Sequence, residues 1–244
     1  PPEGYVRKGG CIRHLQAELG PAEECWISPV YTTMAEVEDV KAREEGDYYI
    51  MEVGDEVYVY PSQAVKEALE WWQSCTPMAI FTGPPGTGKT SLATTLLPAL
   101  VGADSEWATM ASVLSKYVGE SEQNMKKLVE RTVTLRPRIA VVDEGDVLVA
   151  RVELGGRGSG ETLLSVQNVA KSMLAWRARK CARDPSYASA KVADTTHLTE
   201  RDILPEFKRR GRGRIITVPP LDRKGYSLLI SLLEPKHRVA FPAA

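Results

Sequence analysis

The chain is short of the features that mark several protein classes. Its four cysteines, Cys11, Cys25, Cys75 and Cys181, stand far apart and form no C-x-x-C pair. Neither a metal cluster nor a disulfide is therefore expected, and a reducing, cytoplasmic setting is the default. No apolar run approaches the ~20 residues that cross a bilayer, and the N-terminus has no signal-peptide pattern. Neither sign of charge dominates. The 31 Lys and Arg against 32 Asp and Glu leave a net charge of −1, so there is no general basic footprint for nucleic acid and no global steering of a partner. What is present is ordinary for a globular chain: 43% hydrophobic and 26% charged residues. The 244 residues suit one α/β domain with an appendage and a sizeable core. The chain opens on Pro1-Pro2 without methionine and stops soon after an apparent helix start, and so reads as a fragment or a processed form.

Against that background one stretch stands out. Gly83-Pro84-Pro85-Gly86-Thr87-Gly88-Lys89-Thr90 fits G-x-x-x-x-G-K-[ST], the phosphate-binding loop. A Gly/Pro-rich turn with a chance lysine would also contain these residue types. The flanks favour the loop: Met78-Ala79-Ile80-Phe81 reads as a strand before it, and Ser91 to Leu97 reads as a helix after it. The glycines let the backbone curl so that successive N–H groups point at phosphate oxygens, and the helix start adds unpaired donors. Residues Gly83, Pro84, Pro85, Gly86, Thr87, Gly88, Lys89, Thr90 and Ser91 are thus expected to hold the phosphates of a nucleotide. Lys89 would reach the β- and γ-phosphates, and the Thr90 hydroxyl would ligate Mg²⁺.

A second acidic motif follows. The apolar run Ile139-Ala140-Val141-Val142 reads as a strand buried on both faces, and it ends in Asp143-Glu144. Asp143 at a strand end suits a Mg²⁺ partner, and Glu144 suits the group that polarises an attacking water. A solvated acidic pair is the plainer reading of these two residues taken alone. Joined to the phosphate loop, they point to hydrolysis of a nucleoside triphosphate.

Organisation along the chain supports an α/β fold. Residues 1–46 show no clear period, and Glu36 to Glu45 could be a charged helix or a loop. Tyr49, Met51 and Val53 alternate, Gly54-Asp55 supplies a turn, and Val57 to Tyr60 returns, which predicts a β-hairpin with a type II′ turn. Pro61-Ser62 opens a helix whose apolar face is Val65, Ala68, Leu69 and Trp72. Trp71-Trp72 could be a stacking platform for bases, but the spacing favours a buried helix face. Arg214 to Val218 reads as a further strand, with weaker ones at Trp107 to Met110 and Ala188 to Ala193 and helices at 121–135 and 161–180. This βαβα rhythm predicts a parallel sheet with helices on both faces. Gly155 to Gly160 lacks the G-x-G-x-x-G order and reads as a loop. The division is an N-terminal segment over 1–60, a core over 61–222 and a helix start over 223–244.

Around these motifs the chain resembles the AAA ATPases, the hexameric motor family of katanin, spastin and the proteasomal ATPases. The matching stretches are Gly83 to Thr90, Leu114 to Glu122, Val142 to Asp146 and Lys208 to Arg212, within roughly residues 60–230. The resemblance implies a P-loop NTPase core of the AAA type, ATP and Mg²⁺ as cofactors, and a homo-oligomeric ring, expected to be a hexamer. It implies that Lys116, Tyr117 and Val118 form a pore loop that grips an extended polypeptide. It implies that Arg209 and Arg212 are fingers reaching a neighbour's γ-phosphate, although Gly213-Arg214 replaces the family's usual Phe-Asp. A polar sensor of the γ-phosphate falls on Thr196, with His197 as its rival. Gly145 stands where the family usually has an apolar residue. Of the family's helical lid only Asp222 to Ala244 remains.

The function these readings favour is ATP hydrolysis that remodels or translocates a polypeptide through a ring. A nucleic-acid motor or loader of the wider class is the alternative, supported by the basic stretch Lys171, Arg177, Arg179, Lys180 and Arg183. A non-motor scaffold is a third, and Lys89, Thr90, Asp143 and Glu144 argue against it, because a scaffold needs no hydrolytic acid.

Overall fold

Alternating residues build the strands Tyr48–Val53 and Glu56–Pro61 of a first sheet, and continuous apolar runs build two inner strands of a second, Met78–Thr82 and Arg138–Asp143. The computed structural model describes residues 40–53, 55–114, 119–150, 159–208 and 213–237. In chain order the elements are β1 (Val40–Glu45), β2 (Tyr48–Val53), β3 (Glu56–Pro61), α1 (Ser62–Gln73) and β4 (Met78–Thr82). Next comes α2, which starts at Lys89–Ser91, widens to a π-helical turn over Leu92–Leu96 and ends at Leu97–Val101. Then follow β5 (Asp104–Thr109), α3 (Met110–Val113), α4 (Glu120–Thr134), β6 (Arg138–Asp143), α5 (Asp146–Val149) and α6 (Ser159–Arg183). The chain closes with β7 (Ala190–Thr196), α7 (Pro205–Lys208), β8 (Gly213–Thr217) and α8 (Arg223–His237).

β1, β2 and β3 form an antiparallel meander. The pairing of Val53 with Glu56 leaves a two-residue connection, as expected; Gly54, on which the turn type rests, lies outside the described residues. β1 corrects the reading of 36–45 as helix or loop over residues 40–45; residues 36–39 lie outside the described residues. Its run Lys41, Ala42, Arg43, Glu44, Glu45 has no apolar period of its own, and pairing with β2 makes the strand, helped by Arg43 donating to Glu52 at 2.6 Å. The two faces of the meander are used differently. Met51 and Tyr60 join the main core, while Ile50, Val57 and Val59 pack against Leu228, Leu229, Leu232 and Leu233 of α8. Asp222 caps α8 by accepting from the Gly225 N–H at 2.8 Å and from the Tyr48 hydroxyl.

The second sheet has the order β5-β6-β7-β4-β8, with every pairing parallel. Its inner strands show why apolar runs are needed. Met78 and Ile80 of β4 face one core cluster and Ala79 and Phe81 the other; Ala140 and Val142 of β6 likewise oppose Ile139 and Val141. α4 and α6 cover the first face through Met125, Leu128, Val129, Val166, Ala170 and Leu174. α1 and α2 cover the second through Val65, Ala68, Trp71, Leu92 and Leu96. Each fully buried aliphatic or aromatic side chain contributes about 1.5–3 kcal/mol, so burial on both faces outweighs the small differences in strand propensity. The buried face of α1 is rotated from the expected one. Trp71 is fully enclosed, edge-on to Phe81, whereas Leu69 and Trp72 lie at its half-buried margin.

Two expectations fail at the end of the sheet away from the phosphate loop. Cys75 and Cys181, 106 positions apart, are joined in a disulfide; local spacing could not show a pair so distant, and the argument from cysteine spacing for a reducing setting falls with it. Arg177, counted in a basic stretch that could meet nucleic acid, is 1% exposed. It donates to the carbonyls of Cys75 (2.6 Å), Ala188 (2.7 Å) and Ala190 (2.7 Å). Lys191 of β7, also buried, donates to the carbonyls of Trp71, Ser74 and Thr76 at 2.7, 2.6 and 3.0 Å. Burial brings Arg177 down to about 10, and burial together with Arg177 brings Lys191 down to about 6. The disulfide thus ties α6 to the segment whose carbonyls hold these cations. Replacing both cysteines by serine is expected to cost about 2–4 kcal/mol, the usual worth of a cross-link. Chemical denaturation checks this; a midpoint equal to that of the oxidised parent contradicts it.

Candidate nucleotide site

The site lies beyond the C-terminal ends of β4, β6 and β7, where open parallel sheets place their ligands. β4 delivers the chain between its neighbours to Gly83, and the Val218 N–H fixes this exit by donating to the Thr82 carbonyl at 2.8 Å. Gly83, Gly86 and Gly88 all have positive φ, which turns successive N–H groups toward one side. At Gly88 (φ +80°) a side chain would also have no room, since a Cβ would stand 2.8 Å from the Tyr60 ring. Pro84, Pro85 and Gly86 form the solvent-exposed rim, Thr87 donates to the Pro84 carbonyl at 3.0 Å, and Ser91 lies beside the Tyr58 and Tyr60 phenols.

Lys89 opens α2 and is 5% exposed. Its ammonium donates to the carbonyls of Gly83 and Pro84, at 2.8 Å each, and stands 3.3 Å from His197 Nδ1. Burial lowers its pKa, and the nearby carboxylates of Asp143 and Asp146 oppose that shift. Thr90 donates to Asp143 Oδ1 at 2.7 Å, which brings together the two residues expected to meet Mg²⁺. Hydroxyl and carboxylate oxygens suit that hard ion, which keeps several waters and takes further ligands from phosphates. Consistently, the described residues contain no group of three or more His, Cys, Asp or Glu able to hold a metal by itself.

Glu144 is exposed and has φ +53°, unusual for a residue with a side chain. Two bonds to β7 hold it there: its own N–H donates to Thr195 Oγ1 at 3.2 Å, and the Gly145 N–H donates to the Thr195 carbonyl at 2.9 Å. The two sensor candidates part company. The Thr196 hydroxyl is buried and bonded to Asp146 Oδ1, which also accepts from the His197 N–H at 3.0 Å; the His197 ring instead faces Lys89. Three residues not singled out from the sequence belong to the site. Thr195 bonds Asp143 Oδ1 at 2.5 Å, Asp146 holds Thr196 and His197, and Asp194 is wholly buried behind them. Burial, then Asp146 and Asp143, push the Asp194 carboxyl well up. Asp146 closes the stretch Val142 to Asp146 that resembles the family, and for Asp194 and Thr195 the sequence signal was proximity to Thr196.

Lys116, Tyr117 and Val118 lie outside the described residues, between Leu114 and the start of α4. Arg209 and Arg212 also lie outside them, between α7 and β8.

A family model described as "ATPase family associated with various cellular activities (AAA)" matches residues 79–212. Among similar proteins, ATPase family AAA domain-containing protein 2 of Mus musculus is 36% identical over 94 residues, 37% of this chain and 9% of that protein. The proteasome-activating nucleotidase of Saccharolobus solfataricus is 31% identical over 167 residues, 66% of this chain and 39% of the relative. Protein SAV of Sulfolobus acidocaldarius is 30% identical over 174 residues, 66% of this chain and 21% of the relative. The chain thus matches well under half the length of each of these relatives.

Proposed function

The chain belongs to the AAA ATPase family, and on that premise we propose that it hydrolyses ATP to remodel a polypeptide or draw it through a ring of like subunits. The observation that carries the proposal is the convergence of Lys89, Thr90, Asp143 and Glu144 at one end of the parallel sheet. The backbone of Gly83 to Gly88 binds the phosphates, and Lys89 swings from its carbonyl partners to the γ-phosphate oxygens. Thr90 and Asp143 would hold Mg²⁺, which would offset phosphate charge. Glu144, exposed at its turn, orients a water in line with the γ-phosphorus and takes up its proton. Thr196 or His197 senses the γ-phosphate; the place of His197 beside Lys89 favours the histidine. Arg209 and Arg212 act from the neighbouring copy, so that hydrolysis needs assembly; six copies is the number the family suggests.

Polypeptide as the substrate is supported by Tyr117 in the Lys116-Tyr117-Val118 loop, whose large apolar ring binds without reading sequence, and by a relative named for activating the proteasome. The nucleic-acid alternative is weakened by Arg177, whose guanidinium is committed to backbone carbonyls. Stimulation of ATP turnover tests this. Unfolded protein is expected to stimulate turnover, and Tyr117→Ala is expected to weaken that response about tenfold while sparing most basal turnover. Stimulation by DNA or RNA alone would point to the nucleic-acid reading, and an unaltered Tyr117→Ala response would remove the pore-loop role.

A further inference from the structure

Gly145 and Asp194 meet where two structural elements turn together. Asp194 pairs with Val142 across β6 and β7, and its short side chain lies directly under the turn that follows β6. A Cβ added to Gly145 would sit 1.7 Å from Asp194 Oδ1 and 2.7 Å from its Cγ, separations no real atoms adopt. Asp194 cannot step aside, because it is wholly enclosed. Residue 145 therefore has no side chain, and the space that one would fill is taken by a carboxyl arriving from the neighbouring strand. Neither oxygen of that carboxyl has a hydrogen-bond partner. Such an unsatisfied buried group calls for an explanation, and the contact the structure shows for it is the space it takes beneath Gly145.

We infer that Asp194 is a positioning residue for Glu144: it fills the notch beneath Gly145 and so holds the Glu144–Gly145 turn in the conformation that aims the Glu144 carboxylate. Two neighbouring residues of one strand meet the turn. Thr195 takes the Glu144 and Gly145 N–H groups, and Asp194 fills the space beneath Gly145. Glu144 sits at positive φ, a conformation that persists only where its surroundings over-determine it. With the notch empty, the Gly145 peptide gains room to turn and the Glu144 backbone can relax, which moves the carboxylate away from the water it orients. The inference rests on the role given to Glu144 above.

The test is steady-state ATP turnover with separate measurement of fluorescent-ATP binding. Asp194→Ala is expected to lower kcat about ten- to a hundredfold, the usual effect of misplacing a reacting group by an ångström, with KM and nucleotide affinity little changed. Asp194→Asn, neutral and of the same shape, should keep near-parental kcat. Gly145→Ala should lose kcat as Asp194→Ala does, and adding Asp194→Gly to it should restore several-fold of the loss, since the two side chains compete for one space. Parental kcat in Asp194→Ala overturns the inference. So does a loss of ATP binding that matches the loss of kcat, or a double variant no better than Gly145→Ala. Glu144→Gln separates the two levels: if it turns over normally, the role of Glu144 fails first; if it is inactive while Asp194→Ala is normal, only the positioning role fails.

Discussion

Glu144→Gln is expected to bind ATP as the parent does and to lose about 10²–10⁴-fold in turnover, the span of a removed general base. The geometry separates the two effects. The Glu144 backbone is tied to Thr195 and its side chain is exposed. The amide keeps the size and the turn but cannot accept the proton of the attacking water. Nucleotide should therefore accumulate unhydrolysed on the variant, and a single-turnover measurement would show slow chemistry rather than slow release. Undiminished turnover would take Glu144 out of the chemistry.

Lys89→Ala should produce the opposite pattern, with loss at the binding step. The ammonium is enclosed, already makes two 2.8 Å bonds to loop carbonyls, and lies close enough to Asp143 and Asp146 to feel both charges. Charge-assisted bonds contribute about 1.5–3 kcal/mol each, so losing two from the phosphates should weaken ATP by about 10²-fold or more. A second effect adds to the first. Without its cation, the site presents Asp143 and Asp146 to an anionic ligand unopposed by Lys89. Titration calorimetry at fixed Mg²⁺ reads this directly, and an affinity within about twofold of the parent's would contradict it. Taken together, the two variants separate holding the nucleotide from splitting it.

The parts of the fold legible in the sequence are those carried by local pattern. The two apolar runs 78–81 and 139–142 became inner strands because burial on both faces leaves no polar alternation to obscure them. The helices expected at 121–135 and 161–180 appear as Glu120–Thr134 and Ser159–Arg183. β1 was not legible, since Lys41 to Glu45 is a strand only by virtue of its partner. The Cys75–Cys181 bond and the carbonyl cages of Lys191 and Arg177 are contacts between distant segments, and a buried cation looks in sequence like a surface one. The same limit applied at the site. The contact of Thr90 with Asp143 follows from two motifs each read locally, whereas Gly145 departs from the family's usual residue for a reason 49 positions away, in the carboxyl of Asp194 that occupies its space.

The central measurement is a structure of the Glu144→Gln chain grown with ATP and Mg²⁺. The expected result places the γ-phosphate within bonding distance of Lys89 Nζ, a metal held by Thr90 and Asp143, and a water between the phosphate and residue 144. ATP bound elsewhere on the chain, or a phosphate loop left empty at saturating nucleotide, would contradict it.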